Sequence, residues 1–187
     1  MLKPILYSLV GMLLLAACET RVDDVIELEE NEQRLHIEQK AKAYFQTYAE
    51  REDWQEFLSF YREDMQFEDV LLQIQLDSLW QFERFYNWPD TNFQKLTPEQ
   101  PSLVLSSLVS NDSMAVARGH FTPFYWHGNR IEPIWGMEFC IWLYFDKDQK
   151  IKRQIDWIEY DPDVLESVIN RVRKDGLKMP TWLDLSK

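Results

Sequence analysis

Cysteine is scarce in this chain: among 187 residues there are two, Cys18 and Cys140. If Cys18 is consumed by other chemistry, one thiol remains, and one thiol cannot form an intramolecular disulfide. A disulfide-stapled scaffold is therefore excluded. Cys140 lies within Phe139-Cys140-Ile141-Trp142 and reads as a small buried hydrophobe, not a nucleophile. Basic residues are also few, 20 Lys+Arg against 32 Asp+Glu, for a net charge of −12. That balance argues against nucleic acid or an anionic lipid surface as a partner. There is no zinc spacing, P-loop or dinucleotide fingerprint, so no cofactor and no metal is expected. Asp69, His120 and Glu138 carry donor atoms but no metal-ligand spacing. No internal repeat or low-complexity block occurs. No apolar run reaches the ~20 residues of a membrane span.

What is present begins with the first 18 residues. Lys3 is followed by an apolar stretch, Ile5 to Leu15, and then by Leu15-Ala16-Ala17-Cys18. A short h-region ending in small residues is the pattern of a secretory signal. The cysteine directly after Leu-Ala-Ala resembles the lipobox of bacterial lipoproteins. That resemblance implies cleavage before Cys18, lipidation of its thiol, and a lipid anchor in a membrane of the bacterial cell envelope, with the domain outside the cytoplasm. Acyl chains hold firmly because each buried CH₂ contributes about 0.8 kcal/mol. Loss of residues 1–17 removes Lys3 and leaves 19 basic against 32 acidic side chains, a net of −13. Residues 18–31 are acidic with little apolar content and read as a tether. Residues 32–187 are long enough for one domain with a real core.

Glu32 to Arg51 has helical spacing, with Ile37, Ala41, Tyr44 or Phe45, and Tyr48 on one side. Asp53 with Glu56 three residues on predicts a capped second helix whose apolar face is Trp54, Phe57, Leu58 and Tyr61. A short strand is expected over Met65–Val70. A third helix is expected from Asp77 or Ser78 to about Asn87, stopped by Pro89. From Ser102 the pattern turns to long strands: Leu103–Ser110, Met114–Trp126, Ile134–Phe145 and Lys150–Tyr160. Asp161-Pro162 opens a last helix that Asp175-Gly176 closes. The fold class is α+β: a curved antiparallel sheet wrapped on N-terminal helices, with an extra C-terminal helix.

Three stretches together resemble the nuclear transport factor 2-like superfamily, which includes ketosteroid isomerases and SnoaL-like polyketide cyclases. The first runs from Tyr44-Phe45 through Asp53-Trp54 and Phe57-Leu58 to Phe60-Tyr61-Arg62-Glu63-Asp64-Met65-Gln66-Phe67-Glu68-Asp69. The second is the strand meander. The third is Phe145-Asp146 to Lys150-Ile151, then Asp156 and Asp161-Pro162. The likeness spans about residues 32–162. It implies a cystatin-like cone with a pocket open at one end. It also implies that Asp69 matches the general base of ketosteroid isomerases. The acid of their oxyanion hole falls on Ile141 here, and their tyrosine on Phe45 beside Tyr44, which argues against isomerase activity. The SnoaL-like Glu-His-Trp-Asp stretch survives here only in Asp156; the others are Arg153, Gln154 and Ile155.

Alternation along strands assigns the faces. Arg118, His120, Thr122, Phe124 and Trp126 form one set. Trp135, Met137, Phe139, Ile141 and Leu143 form another, opposite Cys140, Trp142 and Tyr144. Two apolar faces on one strand predict either a homodimer through Cys140, Trp142 and Tyr144 or a cover from the C-terminal helix. The expected pocket residues are Tyr44, Tyr48, Trp80, Arg118, Thr122, Phe124, Trp126, Trp135, Met137, Phe139, Gln154 and Ile158. Asp156 with His120, and with Asp69, forms the candidate acid/base set. Each has a plain structural alternative. Asp69 can cap a turn, Asp156 can pair with Arg118, and any tryptophan can be core. Three functions remain open: a module binding a small, mainly apolar ligand or a protein partner, a SnoaL-like lyase or isomerase, and a ligand-free dimeric interaction domain.

Overall fold

A computed structural model describes residues 32–89, 91–132 and 137–176. The leader, Cys18, the acidic tether and Trp135 lie outside these residues.

Residues 32–50 form helix α1, and its buried side chains Ile37, Ala41, Tyr44, Phe45 and Tyr48 follow the expected stripe. The helix ends where Arg51 takes a left-handed backbone (φ 55°) and its N–H bonds to Thr47 O at 2.9 Å. Asp53 caps α2 (Trp54–Ser59) by accepting from the Glu56 N–H at 2.8 Å. Phe57 and Leu58 point into the core. Tyr61, expected on that helix, instead begins strand β1 (Tyr61–Asp69), four residues earlier than the strand predicted. Strand β2 (Ile74–Leu76) and helix α3 (Leu79–Tyr86) follow, and Asn87 closes α3 in a left-handed conformation.

Then come β3 (Phe93–Lys95), β4 (Leu103–Ser110), β5 (Met114–Phe121), β6 (Phe124–Trp126), β7 (Asn129–Ile131), β8 (Glu138–Phe145) and β9 (Ile151–Ile158). Helix α4 (Pro162–Asp175) has Asp161 as its N-cap and Gly176 as its left-handed C-cap. Six strands make one sheet in the order β2-β1-β9-β8-β5-β4, and β3, β6 and β7 make a smaller one. The large sheet is mixed and not wholly antiparallel as expected, because β1 runs parallel to β9. The layout is the α+β cone: a bent sheet closing over α1, α2 and α3.

The expected single strand Met114–Trp126 is broken at Thr122-Pro123. Pro123 has no N–H to give a ladder. The chain turns there with the Thr122 N–H on Ser102 O (3.1 Å) and the Thr122 hydroxyl on Pro101 O (2.6 Å). The break resets the parity of the faces. Before it, Ala115, Ala117, Gly119 and Phe121 face inward, while Arg118 and His120 face outward. After it, Phe124 is buried. Gly119 is required by packing. A Cβ there would stand 2.2 Å from Val104 O and 2.6 Å from the Phe139 ring. Without it, Phe139 lies across the strand and stacks on Phe45, centroids 6.3 Å apart. On β8 the alternation matches expectation: Phe139, Ile141 and Leu143 inward, Cys140, Trp142 and Tyr144 outward. Helix α4 sends Val164 and Val168 to the cone's interior, so it covers the open end and not the outer sheet face.

Candidate functional site

The inner faces of two neighbouring strands build the polar centre of the cone. The parallel register pairs Phe67 with Gln154 and Asp69 with Asp156, so both carboxyl groups point inward side by side. All three polar members, Asp69, Gln154 and Asp156, are buried.

Gln154 organises this centre. Its Oε1 accepts from the hydroxyls of Tyr61 (2.6 Å) and Tyr44 (3.1 Å). Its Nε2 donates to Asp156 Oδ1 (2.8 Å) and to the Tyr86 oxygen (3.0 Å). Both amide hydrogens and both lone pairs are thus used, which fixes the amide. The Tyr86 hydroxyl donates to Asp156 Oδ2. Asp69 accepts the Leu72 N–H on Oδ1 (2.8 Å) and the Tyr160 hydroxyl on Oδ2 (2.6 Å).

Burial sets the acidities, because a low-dielectric interior disfavours a charged carboxylate. Burial pushes Asp156 up to about 7; the negative charge of Asp69 adds to the rise, and the bonds from Tyr86 and Gln154 oppose it. Burial likewise pushes Asp69 up to about 6, against the bonds from Tyr160 and the Leu72 and Leu71 N–H groups. Tyr86 and Tyr160 are driven well above the usual phenol range, first by burial and then by the adjacent carboxylates. Both phenols therefore stay protonated.

A cavity of about 110 Å³ lies beside this network. Its walls are Tyr48 of α1, Phe85 and Tyr86 of α3, Phe93 of β3, Phe121 of β5, and Phe124 and Trp126 of β6. Met137 and Ile158 contribute aliphatic surface, and Val164, Val168 and Arg171 of α4 close over it. Tyr86 and Tyr160 line the cavity and bind the carboxyls from the other side; the carboxyls themselves do not line it. Arg51 completes the wall, its guanidinium 4.1 Å from the Phe93 ring and 4.9 Å from the Trp88 ring.

Of the expected pocket residues, Tyr48, Phe124, Trp126, Met137 and Ile158 line this cavity. Tyr44 and Gln154 belong to the buried network behind it, and Phe139 to the core. Others lie elsewhere. Trp80 is 56% exposed on α3, where Arg84 sits over its ring. Arg118 is on the outer face, ion-paired with Glu138 and not with Asp156. Thr122 holds the strand break. His120 pairs in register with Glu138, while Ala117, Ile141 and Asp156 share the opposite, inner face. His120 and Asp156 therefore cannot form one proton-transfer pair. Arg51, Phe121, Tyr86 and Tyr160 join the wall without a sequence signal that places them there. Tyr86 sits on the apolar stripe of α3, which favours burial without revealing its bond to Asp156.

A second hollow, about 610 Å³, lies on the outer face among Leu71, Cys140, Trp157 and the Arg118–Glu138 pair. Among the described residues no group of three or more metal-ligating side chains converges.

No family model and no curated protein matches the sequence. Solved structures match the fold. A protein assigned as a SnoaL-like polyketide cyclase, from Shewanella denitrificans OS-217, aligns with TM-score 0.54 and 16% identity over 73% of this chain and 98% of that one. A steroid delta-isomerase from Pseudomonas aeruginosa aligns with TM-score 0.50 and 10% identity over 74% and 90%. TerC, co-crystallised with polyporic acid, aligns with TM-score 0.50 and 14% identity over 72% and 98%. The chain thus has the cone fold of the nuclear transport factor 2-like group, which SnoaL-like cyclases and ketosteroid isomerases share.

Proposed function

We propose that this chain is a lipid-anchored envelope protein whose cone binds a small, mainly apolar molecule. One observation carries the binding reading. The interior keeps an aromatic-walled cavity, while both buried carboxyls are bonded behind Tyr86 and Tyr160. A binding site needs apolar walls with a few fixed polar groups, which is what this wall offers. The volume limits the guest. An engineered cavity of about 150 Å³ accepts benzene, so 110 Å³ suits at most a single ring. Support for the anchor comes from Leu15-Ala16-Ala17-Cys18. The apolar outer face around Cys140, Trp142 and Tyr144 supports self-association into a homodimer.

A second reading is favoured by a separate observation. Two buried carboxyls pushed up to about 6 and about 7 are tuned for proton transfer near neutral pH. A SnoaL-like lyase or isomerase would then use Asp156 through Tyr86 and Asp69 through Tyr160, without His120.

Benzene, a single apolar ring, tests the binding reading. At about 100 times its dissociation constant it contributes about 2.7 kcal/mol, or roughly 5–10 °C in thermal midpoint. Val168→Trp, filling the cavity, should abolish the gain. Absence of any shift in the parent chain would refute the binder. Cys18→Ser should release the chain from the membrane fraction; continued membrane retention would refute the anchor.

A further inference from the structure

Strand β4 ends one side of the six-stranded sheet, and its far side meets no ladder among the described residues. The opposite edge, β2, is three residues long, whereas β4 has eight. A strand edge offers a row of unpaired N–H and C=O groups, which is a template for another chain. Proteins commonly guard such edges with lysine, other charges or proline. Leu103–Ser110 has none of these, although the chain carries a net charge of −12. Two copies can therefore meet along β4 without opposing like charges.

The order of its residues selects the partner. Val104-Leu105-Ser106-Ser107-Leu108-Val109 reads the same in both directions. Two antiparallel copies related by a two-fold axis between Ser106 and Ser107 would set Val104 against Val109, Leu105 against Leu108 and Ser106 against Ser107. Such an axis stands perpendicular to the sheet, so each side chain keeps its face and opposed residues must share one. In a regular strand they would not, because each pair joins an even and an odd position. Strand β4 is not regular. Leu105 pairs with Gly119 and Ser107 with Arg118, which leaves Ser106 as an extra residue. This bulge shifts the alternation by one. Leu105 and Leu108 both turn inward with their partners Gly119 and Ala117, while Val104 and Val109 both face outward, 40% and 65% exposed. A lone bulge twists an edge away from a partner. Here the bulges of the two copies meet at the axis, and their kinks match by symmetry.

We infer that β4 is a self-recognition edge, on which a second copy of this chain pairs antiparallel about a two-fold axis between Ser106 and Ser107. The two six-stranded sheets then become continuous. On the outer face, the apolar row of Trp142, Val116 and Val109 gains Val104 of the second copy. Beyond the backbone, chiefly Val104 and Val109 are newly covered, which falls short of the roughly 1,200 Å² of a stable interface. The pairing is therefore weak, and it is separate from the outer-face contact proposed above.

Hydrogen exchange of the full chain in detergent, read by mass spectrometry at about 10 μM and about 1 mM, tests the pairing. Packing of sheet faces makes no new bonds to strand amides, whereas edge pairing does. Amides of residues 103–110 should exchange at least threefold more slowly at the higher concentration. The variant Val104→Lys, Val109→Lys opposes like charges across the axis and should lose this concentration dependence. The variant Val104→Glu, Val109→Lys opposes unlike charges in the same register and should regain it. Equal exchange of the parent at both concentrations overturns the inference, whether the edge is open throughout or covered throughout by another part of the chain. Identical behaviour of the two charged variants overturns the two-fold register. The parent's own series decides the pairing even if a variant fails to fold.

Discussion

Replacing Asp156 by asparagine should make this protein more stable above neutral pH while removing a buried hydrogen-bonded acid. Burial raises the folded-state pKa of Asp156 from 3.8 to about 7. A carboxyl with a raised folded pKa favours the native state when protonated. Below about pH 4 it is protonated in both states. As pH rises from about 4 to about 7, the unfolded chain releases its proton first, and native stability falls. Three pKa units correspond to about 4 kcal/mol at 1.36 kcal/mol per unit. In Asp156→Asn the side chain has no proton to lose. Its amide retains an acceptor for Gln154 Nε2 and can donate to the Tyr86 oxygen, so the cost of the substitution at pH 4.5 should be about 1 kcal/mol. Urea denaturation followed by tryptophan fluorescence between pH 4.5 and 8.5 measures both chains. The variant should be the weaker at pH 4.5 and the stronger by about 2–3 kcal/mol at pH 8.5. The general repulsion of a −12 chain acts on both alike and cancels in the difference. Parallel curves for the two proteins would refute the reasoning.

Two other substitutions probe separate parts of the structure. Gly119→Ala forces a Cβ to within 2.2 Å of Val104 O and 2.6 Å of the Phe139 ring. It should cost about 2–3 kcal/mol, read as a lower urea midpoint at unchanged slope. The double variant Trp142→Glu, Trp157→Glu charges two exposed tryptophans of the outer sheet face. Light scattering at tens of micromolar should report a dimer for the parent and a monomer for the variant, and a monomeric parent would remove the homodimer.

The elements most visible in the sequence carry their own local signals. Asp53 with Glu56, Asp161-Pro162 and Gly176 are end markers that act through nearby backbone groups, and each caps the helix its position predicts. The α1 stripe and the β8 alternation follow from periodicity alone. The errors arise where one residue changes the count. An alternation read straight through Thr122-Pro123 carries Arg118 and His120 to the wrong side, because the break shifts the pattern by one. The candidate site is half visible for a related reason. Asp69, Asp156 and Gln154 lie on regular strands, so their faces can be counted. Tyr160 and Arg51 lie just beyond element ends, where no period applies, and Tyr86 reaches Asp156 only through tertiary packing.

The parallel junction between β1 and β9 joins segments about 90 positions apart, since Tyr61 pairs with Ile151. The early strand therefore has no ladder on that side until the last strand has been synthesised. Distant pairings of this kind slow folding, because a large loop must close before any contact rewards it. A truncated chain ending before β9 would leave Asp69 beside an absent neighbour and the cone unsealed. Assembly of the chamber thus waits on the last strand and the helix after it, and not on the quick coiling of the first helices.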